Sequence, residues 1–192
     1  MNELIFATNN QHKVEEVNVA LKGMFAIKSL KEAGIDIDIP EPYETLEENA
    51  LTKARTIFQL TNTDCFSEDT GLEVEALNGT PGVKSARYAD GDTRYKDNID
   101  KLLVELGSNT NRSAQFKTII TLIKEGNEYM FEGICKGEIL KERRGVSGFG
   151  YDSVFVPVGS NKAFAEMTIE EKNEFSHRRK AADKLIDFLL LL

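Results

Sequence analysis

Two strand-favouring stretches, Ser113 to Lys124 and Glu128 to Lys141, flank Gly126-Asn127, and together they constrain the fold most. Both suit extended backbone, and the Gly-Asn pair supplies a tight turn, so the pattern predicts a long antiparallel hairpin. The N-terminal half follows another rhythm. Glu3 to Thr8 reads as a short strand ending at Asn9-Asn10, a good helix cap. Val14, Val17, Leu21 and Met24 then recur at spacings of three and four, one apolar helix face. Phe25 to Leu30 alternates as a second strand, and Lys31 to Glu44, with Pro40 and Pro42, reads as loop. Thr45-Leu46-Glu47-Glu48 is a capping-box sequence opening a helix to about Leu60. Strand-helix order early and a hairpin later predict an α/β fold, a mixed sheet with helices on its faces.

The chain has 192 residues, which suits a single domain over residues 1–192, with room for two lobes. No repeat, low-complexity tract or linker interrupts it. Asp64 to Ser67 reads as a strand running into acids and glycine, and Asn78 to Gly82 as a turn. Ile99, Leu102, Leu103 and Leu106 form a helix face that Gly107 would stop. Val154 to Val156 reads as a short strand, Thr168 to Glu171 as a second capping box, and the final helix starts near Ser176.

Charge narrows the partners. The formal net charge is −8, which disfavours loose binding to nucleic acid or an anionic membrane. An anionic ligand would need a local cluster of cations or a metal. Met1-Asn2-Glu3-Leu4 lacks the features of a signal peptide, and no apolar run nears the roughly 20 residues that span a bilayer. Two cysteines, Cys65 and Cys135, form neither a disulfide framework nor a CxxC site, so a reducing, cytoplasmic setting is expected.

Five segments carry residues suited to chemistry. Thr8-Asn9-Asn10-Gln11-His12-Lys13 joins a strand to a helix, either as an anion-binding helix N-terminus or as an ordinary capped helix. Ser67-Glu68-Asp69-Thr70-Gly71 puts acids at an expected strand end, for a divalent metal, a general base or a solvated turn. Glu41, in the proline loop, is freer for a metal than Glu47 and Glu48, which favour the helix dipole. Lys53 lies four residues after Asn49 on one helix face and could reach a phosphate. Ser147 to Asp152 offers close backbone approach at glycines, Phe149 or Tyr151 to stack on a ring and Asp152 to accept from a base edge, or else a tight turn over core aromatics. Lys172 with Ser176-His177-Arg178-Arg179-Lys180 is the densest cationic patch. Positive charge at a helix start opposes the macrodipole unless an anion sits there.

Taken in order and spacing, these motifs resemble the inosine triphosphate pyrophosphatase family, also called the Ham1-like non-standard purine nucleoside triphosphate pyrophosphatases. The carriers are Ala7-Thr8-Asn9-Asn10 with Lys13 and Glu16, Glu48-Asn49-Ala50 with Lys53-Ala54, and Glu68-Asp69-Thr70-Gly71-Leu72-Glu73-Val74. Leu77 to Tyr88, Gly148-Phe149-Gly150-Tyr151-Asp152 and Ser176-His177-Arg178 complete the set. The resemblance implies an elongated mixed sheet with flanking helices, two lobes with a central cleft, and a homodimer. It implies an enzyme, a hydrolase that cuts between the α- and β-phosphates of ITP, dITP and XTP. The products would be the monophosphate and pyrophosphate, and the role cleansing of the nucleotide pool.

By the same resemblance Asp69 is the catalytic base and a Mg2+ ligand, and Glu41 the second metal-binding acid. Thr8 to Lys13 contact phosphate, with Lys53, Thr70 and Lys172 as further substrate contacts. Phe149, Gly150, Tyr151 and Asp152 form the base pocket, closed by His177 and Arg178. The chain departs from the family in three places. Glu68 and Thr70 stand in the usual Asp-Asp-Ser-Gly, Ser153 replaces the usual proline, and Arg179 the usual glycine. A non-enzymatic purine nucleotide sensor and a pyrophosphatase for modified pyrimidine nucleotides are the rival readings.

Overall fold

The computed structural model describes residues 3–21 and 24–191. Its strands are β1 (Glu3–Phe6), β2 (Ala26–Ser29), β3 (Cys65–Val74), β4 (Pro81–Gly82), β5 (Ser113–Lys124), β6 (Asn127–Ile139) and β7 (Phe155–Pro157). Its α-helices are α1 (Gln11–Leu21), α2 (Leu46–Thr61), α3 (Asn98–Leu106), α4 (Ile169–Asn173) and α5 (His177–Leu190). The strands form one mixed seven-stranded sheet in the order β2-β1-β3-β5-β6-β7, with β4 beside β3. None of the described helices is long and apolar enough to cross a membrane.

Two compact units share these strands. The first comprises the chain up to Asp69, residues 118–133 and the chain from Arg178. Here β1 pairs parallel with β2, Leu4 opposite Ile27, and parallel with β3, Ile5 opposite Cys65. Alternation along β1 sorts its side chains onto two faces. Leu4 and Phe6 join Phe66, the Val14-Val17-Leu21 face of α1 and Ala181, Ala182, Leu185 and Ile186 of α5. Phe6 stacks on Phe66 at 4.4 Å between centroids. Ile5 and Ala7 join Ala54 and Ile57 of α2 on the other face. Met24, expected on the α1 face, lies past the helix end and is 41% exposed.

The second unit comprises residues 70–117 and 134–177. Leu72 and Val74 of β3, Ile99, Leu102 and Leu106 of α3, and Phe116, Phe155 and Phe164 fill its core. Asp97 caps α3 by accepting from the Asp100 N–H, and Gly107 ends it at φ 47°. Thr168 and Glu171 make a reciprocal capping box at α4. At α2 only half of that motif forms: Thr45 accepts from the Glu48 N–H but donates its hydroxyl to the Glu48 carboxylate.

Candidate active site

Glu68 and Asp69 do not end a strand. Both lie within β3 and are buried, which removes the solvated turn as a reading. Neighbours in a strand point to opposite faces. Glu68 therefore shares the face of Phe66, under α1 and α5. Asp69 shares the face of Cys65, under α2.

On the first face, Arg178 grips Glu68 with Nε 2.6 Å from Oε2 and Nη2 3.0 Å from Oε1. Its Nη1 donates to Glu16, and Lys13 Nζ stands 2.9 Å from Glu68 Oε1. Burial alone would raise the Glu68 carboxyl, but Arg178 and Lys13 hold it well below its ordinary range. These carboxylates are the anions that Arg178, oddly placed at the start of α5, requires. Arg178 was expected to close a base pocket; it is itself buried and engaged by Glu68 and Glu16 in the first unit. From sequence, Glu68 reads among acids for a metal or a base and Glu16 has no role; neither reads as a partner of Arg178, although the helix-start mismatch there is the signal.

On the other face, Lys53 reaches from α2, with Nζ 3.0 Å from Asp69 Oδ1 and also donating to Glu41. Asp69 Oδ2 is buried with no hydrogen-bond partner. Burial raises the Asp69 carboxyl above its usual value, the Lys53 charge opposing and the Glu41 charge reinforcing the shift. Burial pulls Lys53 down, but Asp69 and Glu41 outweigh it and hold the ammonium above its usual range.

The carboxylates of this face could hold a divalent metal. Among the described residues no three His, Cys, Asp or Glu side chains cluster as a complete cage. Magnesium seldom needs one, since it is usually bound by one or two carboxylates together with substrate phosphates. Glu41 and Asp69 are the two carboxylates here that could serve in that way. Glu16, Glu41, Glu68 and Asp69 also outnumber Lys13, Lys53 and Arg178, so this cluster is no surplus of positive charge.

The β1–α1 turn has the capped form. Asn10 Oδ1 accepts from the backbone N–H of His12 and Lys13, and Thr8 Oγ1 from that of Asn10. Asn9 donates to the Ile37 carbonyl, while Gln11 and His12 are exposed. Of this run, Lys13 joins the carboxylate cluster through Glu68.

In the second unit Lys172 and Asp152 form a buried pair, Nζ to Oδ2 2.7 Å. Asp152 Oδ2 also accepts from the Phe149 N–H at 2.9 Å, which closes the Gly148–Asp152 turn. A Cβ on Gly148 would collide with that same oxygen, and Gly148 sits at φ 76°, so glycine is required twice over. Lys172 Nζ lies 5.3 Å from the centroid of Phe149 and 5.2 Å from that of Phe164. Tyr151 is not a stacking surface: it is buried in the core and donates its hydroxyl to the Ser85 carbonyl. Gly150 is exposed and Thr70 half-buried. His177 is buried and stacks on Phe116, centroids 4.6 Å apart and planes 15° from parallel. Nothing in the sequence singled out Phe116 or Phe164, because core aromatics carry no local motif.

Comparison with known proteins gives one answer. A family model described as the Ham1 family matches residues 4–188. The dITP/XTP pyrophosphatase of Flavobacterium johnsoniae is 50% identical over 187 residues, 97% of this chain and 97% of that protein. That of Porphyromonas gingivalis is 49% identical over 191 residues, 99% of this chain and 98% of that protein. A HAM1 protein from Coxiella burnetii superposes with a TM-score of 0.88 at 33% identity, covering 100% of both chains. The Staphylococcus aureus Ham1 protein gives a TM-score of 0.85 at 38% identity, covering 98% of each.

Proposed function

The chain belongs to the Ham1 family, and on that premise we infer that it is a nucleoside triphosphate pyrophosphatase acting on the deaminated purine nucleotides dITP, XTP and ITP. Its products are the nucleoside monophosphate and pyrophosphate, and its role is to clear such nucleotides from the pool. The observation that carries the chemistry is Asp69, a buried carboxylate with one unpartnered oxygen and a raised proton affinity.

Asp69 Oδ2 takes a proton from water as the water oxygen bonds to phosphorus and the bridging P–O bond breaks, releasing pyrophosphate. A carboxyl raised above its ordinary range is a better base near neutral pH than an exposed aspartate. Lys13 and Lys53, paired with Glu68, Glu41 and Asp69 in the ligand-free chain, lend their charge to the phosphates. Thr8 to Gln11, His12 and Thr70 add polar contacts. Glu41 and Asp69 would hold Mg2+ with the phosphates, and the bound ion would neutralise phosphate charge.

Base selection falls to Phe149, Gly150, Asp152, Lys172 and His177. A purine bearing O6 and N1–H needs a donor and an acceptor, and adenine reverses both. Groups built for the 6-oxo form are left unpaired against the 6-amino form, a strong basis for rejection. Arg178 serves by fixing Glu68, and Tyr151 by anchoring the turn at Ser85. Residues through which others are held are positioning residues in this scheme.

A homodimer in the cytoplasm, without nucleic acid or membrane as partner, completes the proposal. Cys65 and Cys135 are free buried thiols, which suits a reducing compartment. The deciding experiment is pyrophosphate release with Mg2+ from ITP, XTP, dITP, GTP, ATP and dTTP. Fast turnover of the first three alone is expected. Equal rates on all six remove the specificity, and binding without turnover makes the protein a sensor.

A further inference from the structure

We propose that Phe116 is a specificity-positioning residue: its ring fixes the plane of the His177 imidazole and thereby the choice of purine. The proposal rests on His177 as a base-recognising group. His177 opens α5, and the backbone there does not dictate its ring orientation. The second side-chain torsion of histidine is a broad two-fold well, so the plane must be set by packing. A hydrogen bond to a purine edge depends on that plane, because an N–H must point along the acceptor lone pair.

The packing is specific. Phe116 lies nearly parallel to the imidazole, 15° between planes at 4.6 Å, while Phe164 is 6.4 Å away at 32°. Phe116 is itself held by an edge contact to Phe155 at 4.7 Å and by Phe164 at 6.1 Å. Phe155 and Phe164 meet at 5.1 Å. Three buried rings thus brace a fourth that carries polar atoms. Phe164 also lies under the Lys172 ammonium, so the cluster ties both polar groups to one rigid floor. Aromatic pairs favour particular offsets over the shapeless contact an aliphatic chain gives, which makes Phe116 an orienting element as well as a filler.

Phe116→Leu keeps an apolar group and removes the ring; Phe116→Tyr keeps the ring. The readouts are kcat and KM for ITP and ATP, and the His177 Cε1–H resonance, assigned by its absence in His177→Gln. The chain has two histidines, so the spectrum is simple. In the wild type the ring current of Phe116 displaces the His177 signal. Phe116→Leu returns that signal toward its ordinary position and cuts ITP-over-ATP preference about tenfold, mainly through KM for ITP. Phe116→Tyr retains both. Unchanged preference in Phe116→Leu, with preference lost in His177→Gln, overturns the proposal and leaves His177 in its role. Unchanged preference in His177→Gln overturns the role of His177 and the proposal with it. Should Phe116→Leu not fold, an undisplaced His177 signal in the wild type overturns the proposal by itself.

Discussion

Arg178, at the start of α5, holds Glu68, in the middle of β3, by the Nε–Nη2 edge of its guanidinium, at 2.6 and 3.0 Å. Their separation in sequence is 110 residues. Each is almost wholly buried. Two buried charges stay ionised only when compensated, so removing either partner leaves the other under-compensated, Arg178 with Glu16 and Glu68 with Lys13.

Glu68→Gln tests this through pH. The Glu68 carboxyl lies well below its ordinary 4.5 in the folded chain, so the unfolded chain binds that proton more tightly. Its contribution is fully present above the unfolded value and is lost as pH falls toward the folded one. Urea unfolding should show Glu68→Gln weaker by about 3–5 kcal/mol at neutral pH, the cost of breaking a buried pair. Its stability should then fall less steeply than that of the wild type below about pH 4.5. Parallel acid limbs would assign the acid sensitivity to other groups.

Asp69 moves the other way. Burial raises its carboxyl, so without metal the ionised form is lost at a higher pH than for an exposed aspartate. In the metal-free chain the Asp69 carboxyl resonance should therefore titrate above the ordinary 3.8, and added Mg2+ should pull it back down. Asp69→Asn should remove that titration and lower turnover by a factor on the order of 10²–10⁴. Circular dichroism should report an unchanged fold. Retained turnover in Asp69→Asn would place the base elsewhere.

Both carboxylates show where sequence reading stops. The β5–β6 hairpin was legible because local composition decides it. Even so, the turn falls one residue early, on Glu125-Gly126, both at positive φ. Glu125 adopts that conformation while Asp64, 61 residues away, accepts its N–H. Likewise β3 continues through Glu68, Asp69 and Gly71, residues that locally read as a strand end. It continues because Lys13, Lys53 and Arg178 arrive from three helices to pair the acids. The residue types of the site were legible from their motifs. Which cation meets which acid depends on the alternation of faces along β3, and that follows only once its full length is known.

Gly148 offers a test in the second unit. Alanine there must place a Cβ against Asp152 Oδ2 at φ 76°, so either the turn or the carboxylate shifts. The oxygen displaced is the one bonded to Lys172 and to the Phe149 N–H. Gly148→Ala should raise KM for ITP while leaving kcat close to the wild-type value. Strain of this kind costs about 1–3 kcal/mol, visible as a lower melting temperature. Wild-type KM in Gly148→Ala would mean that Asp152 is not part of base recognition.

Arg55 and Glu128 repeat the fork geometry of Arg178 and Glu68, Nε to Oε1 2.6 Å and Nη2 to Oε2 2.9 Å, but in solvent. Their side chains are 53% and 36% exposed. Water then solvates either partner left alone, and salt screens the attraction. Arg55→Ala should leave the urea midpoint within error of the wild type, and raising ionic strength should not separate the two curves. A loss comparable with that of Glu68→Gln would show that bond geometry sets the strength of these pairs; the expected null result assigns it to burial.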